Sequence, residues 1–510
     1  MRTLVTSVFI VAMLFIVHAD VTSPSGSVEP QFSSDSAEIQ LQLGNLLFDQ
    51  GLFVEALNAY QQALNTTNLT HRNEARLGVV QSALRLAKFD LARLEAETLV
   101  KAEPRNSAVL AMYADTLWAS GFFDVSESTY RDALSIQPQQ ARAIHGIARS
   151  LMSRNQLDNA MAEAQKALRL TPTDAEIHHT IGAIYERMHR FKEAAVAYRE
   201  YVNLLPNKGY SLKAAWSRAQ IRFLQSFGGR TPYQMERGAS DALYTLDFDL
   251  VDHKIMVDAR INGRQMEDLV VDTGAESITI TGQMARQAGV NPIAYTLTAG
   301  VGRFGIRGLQ LARINSLEIG TLKLRNVPCL IKSPPLRNLP TKETESFSPL
   351  ALGLSMIIDY KTQKLTIGRH LPVEPFDFEL PLRLYRLATV QGIVGHDYLA
   401  NFVIDTGGEV ISISESTVSA LGAGADNRRQ IPLKVYGTSG WDQSAFLLPG
   451  IDLSFDAIQY TNIPVVVLNL DAPSVLLGYK LGGIVGYEFL SKYRVVIDLE
   501  RSVLRLKQLT

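Results

Sequence analysis

Cysteine is almost absent, with Cys329 the single one in 510 residues. No intrachain disulfide and no cysteine-rich zinc or iron–sulfur site can form. Excess charge of one sign is missing too, with 50 Lys plus Arg against 51 Asp plus Glu. Without a basic field, nucleic acid is not expected as the principal partner. The nine histidines are scattered, with no His-x-x-x-His pair, so neither a metal nor another cofactor is expected. Beyond the N-terminus no segment reaches 18 apolar residues, and no membrane span is expected in the mature chain. What is present is 46% apolar and 20% charged residues. That is enough to bury several cores and is incompatible with wholesale disorder. The length gives a prior of about three domains.

The N-terminus reads as an export signal over 1–19. Arg2 supplies the positive charge, Leu4 to Val17 is a mostly apolar run, and Val17-His18-Ala19 resembles a cleavage site before Asp20. An uncleaved N-terminal anchor is the alternative. No cysteine follows the site, which excludes a lipid-modified start. A periplasmic or secreted location is expected, and the lack of disulfides fits a bacterial envelope. Residues 20–35, rich in Ser, Pro and Val, read as a tether.

Residues 36–227 carry an internal repeat. Pro104, Pro138, Pro172 and Pro206 lie 34 residues apart each time. Small residues keep phase at Ala92, Ser126, Ala160 and Ala194, and turn residues at Gly121 and Asn155. Each unit is two short amphipathic helices whose small residues permit close approach and whose proline stops the second. This resembles the tetratricopeptide repeat, with five units visible and 211–227 as a solvating terminal helix. The resemblance implies an all-α solenoid whose concave face holds a protein or peptide partner, with Arg and Asn positions on the first helices as clamps. A spacer or self-association surface is the plainer reading.

Gly228-Gly229-Arg230-Thr231-Pro232 breaks the helical pattern and opens a linker over 228–243. Beyond it, short Val/Ile/Leu/Thr runs with glycine punctuation mark a mostly β half. Each half is expected to fold alone. Within the β half, Leu269-Val270-Val271-Asp272-Thr273-Gly274 is echoed by Phe402-Val403-Ile404-Asp405-Thr406-Gly407. Downstream, Ala351-Leu352-Gly353 and Ile484-Val485-Gly486 end at the same separation from their respective Asp. Asp359 and Asp498 close the copies and read as exposed strand positions without chemistry.

The duplicated motif resembles the aspartic proteases of the retropepsin and pepsin type. That resemblance implies a bilobal, mostly β domain, lobe 1 over 244–372 and lobe 2 over 373–510. It implies Asp272 and Asp405 as a catalytic pair acting on a peptide or protein substrate. Two carboxylates in contact cannot both ionise comfortably, so they share a proton, and one activates water while the other polarises the peptide carbonyl. Thr273 and Thr406 would brace the active loops, and Gly274 and Gly407 would let the backbone turn. Either Asp-Thr-Gly alone reads equally as a turn held by its own backbone.

Glycine-rich stretches at 299–308 and 435–441 occupy the places of flaps, with Phe304, Tyr436 and Trp441 as substrate contacts or ordinary hairpin residues. Gly408 departs from the Ala or Ser usual after the motif. The short helix suggested by 487–492 should be missing from the first lobe. Glu276 and Glu409 follow the aspartates at matching positions and face either the cleft or solvent. The sequence therefore points to an exported aspartic endopeptidase whose repeats recruit a protein substrate or regulator. The alternative is a non-catalytic adaptor with a degenerate protease-like β half.

Overall fold

The computed structural model describes residues 34–209, 211–235, 242–302, 305–336, 343–422 and 429–509. The expected signal, and all but the end of the tether, lie outside them. Among the described residues no helix is long and apolar enough to cross a membrane.

The repeats form ten paired helices: α1 Ser34–Asp49, α2 Phe53–Ala63, α3 Leu69–Arg85, α4 Phe89–Ala102, α5 Ser107–Ala119, α6 Phe123–Ile136, α7 Ala141–Ser153, α8 Leu157–Leu170, α9 Ala175–Arg187 and α10 Phe191–Leu204. The in-phase small residues Ala92, Ser126, Ala160 and Ala194 are fully buried where helices cross. Pro104, Pro138 and Pro172 fall in the turns after α4, α6 and α8. Asn68, Asn106 and Asp174 cap α3, α5 and α9 with side-chain oxygens, which satisfies otherwise orphaned N–H groups. Asn155, at φ 57°, makes the left-handed turn from α7 into α8. Asparagine tolerates that region better than most residues.

The helix α11, Leu212–Gln225, follows the last repeat. Its expected role was to show a polar face to water. Instead Phe223, Leu224 and the following Phe227 pack with Ala294 and Leu311 of the β half. The first lobe, not solvent, covers this end.

Each copy of the β half builds a sheet around its Asp-Thr-Gly loop. In the first, strand Arg264–Val271 runs into Asp272 and pairs in parallel with Ser346–Phe347, which pairs antiparallel with Ile278–Thr281. In the second, Tyr398–Ile404 runs into Asp405 and pairs in parallel with Gly483–Val485, which pairs antiparallel with Ile411–Ser414. A six-stranded sheet joins the copies, in the order Phe378–Pro381, Val503–Gln508, Tyr493–Asp498, Ser355–Asp359, Lys364–Gly368 and Tyr244–Asp247. Three strands come from each copy, and Ser355–Asp359 meets Tyr493–Asp498 at the centre.

That sheet corrects two expectations. Asp359 and Asp498 are not free surface positions: Asp498 is 1% exposed and bonded to the Arg501 guanidinium at 2.7 Å. Asp359 pairs with Arg494 across the lobe junction at 2.6 Å. Both are structural ion pairs. The first lobe also keeps the turn expected to be missing, as a 3-10 helix over Leu350–Leu352. It lies in register with the helix Tyr487–Leu490 of the second copy.

The two halves are not beads on a string. The 228–231 junction is exposed, but Gln234–Met235 within the expected linker pairs with Arg325 and Leu324 of the first lobe. Trp118 and Phe123 of the repeats share one apolar cluster with Leu387, Val403, Tyr479 and Leu481 of the second lobe. Arg383, 4% exposed, reaches into the repeats and bonds Asp124, Glu127 (3.2 Å) and Ser150 Oγ (3.2 Å).

Candidate active site

The duplicated loops converge. Asp272 N–H donates to Phe347 O at 2.8 Å, and Asp405 N–H donates to Val485 O at 3.1 Å. Each aspartate therefore hangs from the end of one strand and is tied to the parallel neighbour. The structural counterpart of Ile484-Val485-Gly486 is thus Ser346-Phe347-Ser348, not Ala351-Leu352-Gly353. The stretch from Asp272 to Phe347 is shorter than that from Asp405 to Val485, so the equal separations in the sequence join non-equivalent places. The sequence pattern leads to Ala351-Leu352 because they are apolar before a glycine. The real strand is two residues long, a serine and a phenylalanine between Glu345 and Ser348.

Between the aspartates lies a reciprocal threonine lock. Thr273 N–H donates to Thr406 Oγ1 and Thr406 N–H donates to Thr273 Oγ1, both at 3.0 Å. Each hydroxyl then donates onward, Thr273 to Ile404 O and Thr406 to Val271 O, both at 2.6 Å. Both threonines are buried. The four bonds bind the two lobes at the point where the carboxylates emerge. Gly274 and Gly407 lie under the opposite carboxylates: a Cβ on Gly274 would sit 2.5 Å from Asp405 Cγ, and one on Gly407 2.8 Å from Asp272 Cγ. Hydrogen in place of a side chain is what allows the loops to come this close.

The carboxyls of Asp272 and Asp405 lie within hydrogen-bonding reach of each other. Burial, and then the Asp405 charge, raises Asp272 well above the ordinary carboxylate range, against a weaker pull from Lys332. Burial raises Asp405 as well, while the amides of Gly407 and Gly408 pull it back. Those N–H groups donate to Asp405 Oδ1 at 2.9 and 3.1 Å. The pair titrates as a unit, with the amides biasing negative charge toward Asp405 and the proton toward Asp272. Gly408, the departure from the usual Ala or Ser, is therefore one of the donors to Asp405.

Glu276 and Glu409 diverge from the cleft. Glu276 pairs with Arg386 at 2.8 Å, and Glu409 approaches Lys254 at 3.8 Å. Both side chains are more than a third exposed and meet these cations rather than the aspartates.

The two glycine-rich stretches meet tip to tip. Ser439 N–H donates to Val301 O at 2.9 Å and Ser439 Oγ to Gly305 O at 3.1 Å. Tyr436 and Trp441 stack edge to face at 5.6 Å on the second hairpin. Phe304 falls outside the described residues. Arg307 was missed by sequence reading. It donates to Thr438 O and pairs with Glu343, both at 3.1 Å, so it ties one hairpin to the other. Its position at the end of a glycine-rich run, within the strand Ile306–Ile319, is the signal that could have marked it.

A family model described as "gag-polyprotein putative aspartyl protease" matches residues 257–356. Tetratricopeptide-repeat models match 79–141 and 148–188. The chain thus carries tetratricopeptide repeats within 79–188 and an aspartyl-protease-like domain over 257–356. The protease match contains Asp272, whereas Asp405 lies beyond it and enters through the repeated motif and the geometry. None of the curated proteins searched matches the chain. Among solved structures, a thermophilic tetratricopeptide protein of Thermus thermophilus is 23% identical. It covers 34% of this chain and 92% of its own, with a TM-score of 0.30. YrrB, a tetratricopeptide protein described as having an unusual peptide-binding site, is 17% identical. It covers 34% of this chain and 87% of its own, with a TM-score of 0.23.

Proposed function

We propose that the chain is an exported aspartic endopeptidase in which Asp272 and Asp405 of one molecule act as a single pair. The observation that carries this reading is the threonine lock holding two deeply set carboxyls together with their charge biased to one side. Asp405, carrying the charge, takes a proton from a water lying between the carboxyls. Protonated Asp272 donates a hydrogen bond to the scissile carbonyl oxygen. The water oxygen bonds to the carbonyl carbon, giving a neutral tetrahedral diol as the proton from Asp272 passes to the carbonyl oxygen. The proton gained by Asp405 then goes to the departing amine nitrogen as the C–N bond breaks. A diol proton returns to Asp272, restoring the singly protonated pair. No covalent intermediate is required. Opening of the flap hairpins admits an extended peptide, and their closing excludes bulk water.

The repeat array engages a protein substrate or regulator through surfaces outside its contact with the β half. Pepstatin-sensitive cleavage of denatured casein at mildly acidic pH tests the reading. Asp272→Asn and Asp405→Asn should each abolish it, and the double variant should lose little more. Undiminished cleavage by either single variant excludes an intrachain pair. Absence of any cleavage by the wild-type chain favours the adaptor.

A further inference from the structure

The C-terminal ends of the first helices of the repeats are packed against the chain itself. Strands Arg383–Tyr385 and Leu387–Val394 form a hairpin that turns at Arg386. Tyr385 stands edge-on to Trp118 at the end of α5, centroids 5.4 Å apart. The Arg149 guanidinium of α7 lies 5.2 Å over the same indole. Arg187, the last residue of α9, donates to Leu384 O at 3.0 Å and to Asn155 Oδ1 at 2.8 Å. A first-helix arginine thus clamps a peptide carbonyl, and the peptide belongs to this chain.

The turn is held under strain. Arg386 adopts φ 65°, a left-handed conformation that is unfavourable for a non-glycine residue and persists only when its surroundings impose it. From there its Nε bonds Glu276 Oε2 at 2.8 Å and its Nη1 donates to Leu476 O at 2.6 Å. Glu276 sits four residues beyond Asp272, on the same loop. On the repeat side Arg386 lies within electrostatic reach of Glu186 and His179 of α9. On the second copy the contact with the repeats comes before the aspartate, where Val403 packs in one apolar cluster with Trp118 and Phe123, while Glu409 beyond Asp405 approaches Lys254 at 3.8 Å.

We propose that the repeat array is a positioning element for the aspartate pair: the ends of α5, α7 and α9 seat the Arg383–Val394 hairpin, and Arg386 at the turn holds the Asp272 loop through Glu276. Arg386 is a positioning residue in this arrangement, since it acts on Asp272 through the loop. The kinetic consequence rests on the peptidase reading, whereas the mechanical one does not.

The test uses the full chain and two readouts. Hydrogen exchange of amides 273–277 reports the loop directly, and kcat and KM on denatured casein report the chemistry. Arg386→Ala should speed exchange in 273–277 at least tenfold and lower kcat at least tenfold, with KM within twofold. Arg386→Lys should recover part of both. Tyr385→Ala loosens the hairpin from the repeats and should speed exchange at 273–277 by threefold or more. If Arg386→Ala does not fold, Glu276→Gln breaks the same bridge from its exposed end. Unchanged exchange after the bridge is broken overturns the proposal. So does faster exchange with Arg386→Ala but not with Tyr385→Ala, because the bridge would then work without the repeats. If the wild-type chain cleaves nothing, the exchange pattern still decides the positioning role, and only the peptidase reading falls.

Discussion

Arg383→Ala tests whether the repeats and the β half are one cooperative body. Its guanidinium is buried against Asp124, Glu127, Ser150 and Ser153. Burial alone would raise Glu127, but the Ser150 hydroxyl and the Arg131, Arg154 and Arg383 guanidinia outweigh it and hold the carboxyl down at about 2. The folded value lies below the ordinary 4.5. The linked stability is therefore present above the unfolded value and disappears as pH falls toward about 2. At ~1.4 kcal/mol per unit the whole linkage amounts to about 3 kcal/mol. Arg383 supplies part of that, because Arg154 remains 2.9 Å from Glu127. Breaking a buried pair typically costs about 3–5 kcal/mol. With Arg154 still in place, about 2–3 kcal/mol is the expectation here. Urea unfolding followed by tryptophan fluorescence measures it, since Trp118 lies in the same interface. The wild type should unfold in one transition at pH 7, and the variant should shift its midpoint or split into two. A shared interface would be refuted by a wild type that already unfolds in two steps together with a variant within about 0.5 kcal/mol of it, the range of inconsequential surface changes.

Three further outcomes follow from the site and the array. Gly274→Ala puts a methyl within 2.6 Å of Asp405 Oδ1 and should cost kcat about 100-fold, as misplacements near 1 Å do, with circular dichroism unchanged. Thr273→Val leaves Thr406 N–H and Ile404 O without their partners and should cost about 2–4 kcal/mol by denaturant titration. Glu186, in α9, is pushed up to about 7 by burial despite its bonds from Tyr198 and Gln220. A raised acid favours the folded state below its unfolded value and penalises it as pH rises toward about 7. Glu186→Gln should therefore be near neutral at pH 4 and stabilise by up to about 3 kcal/mol at pH 8, and equal effects at both values would contradict the assignment.

The repeats were legible because their signal is local and periodic: a proline and a small residue every 34 positions need no knowledge of tertiary structure. The aspartate loops were legible because they occur twice. Ser346–Phe347 was not, since a two-residue strand carries no hydrophobic period of its own and is defined only by its neighbours, Val270 and Val271 on one side and Thr279 on the other. Asp498 looked exposed because an aspartate closing a strand usually is. Here Arg501 comes three residues later and Arg505 lies on the neighbouring strand, and both face it. The docking of Arg383 and Tyr385 was beyond sequence reading altogether. Their partners lie in the other half of the chain, and nothing local distinguishes a buried interface arginine from a solvated one.

The two copies agree in backbone and differ in surroundings. The threonine lock is reciprocal, and each aspartate amide meets the equivalent carbonyl. Yet two glycine amides donate to Asp405, Lys332 lies within electrostatic reach of Asp272, and only the Asp272 loop is bridged by Arg386. A symmetric dimer of identical chains must place the same residues on both sides of its axis. A single chain that carries both lobes is free of that constraint. It can put amides on one carboxyl, a lysine near the other and a helical array against one face. Burial raises both carboxyls, but the amides of Gly407 and Gly408 pull Asp405 back down, whereas Lys332 only weakly opposes the burial that raises Asp272, so the two carboxyls sit in unequal surroundings.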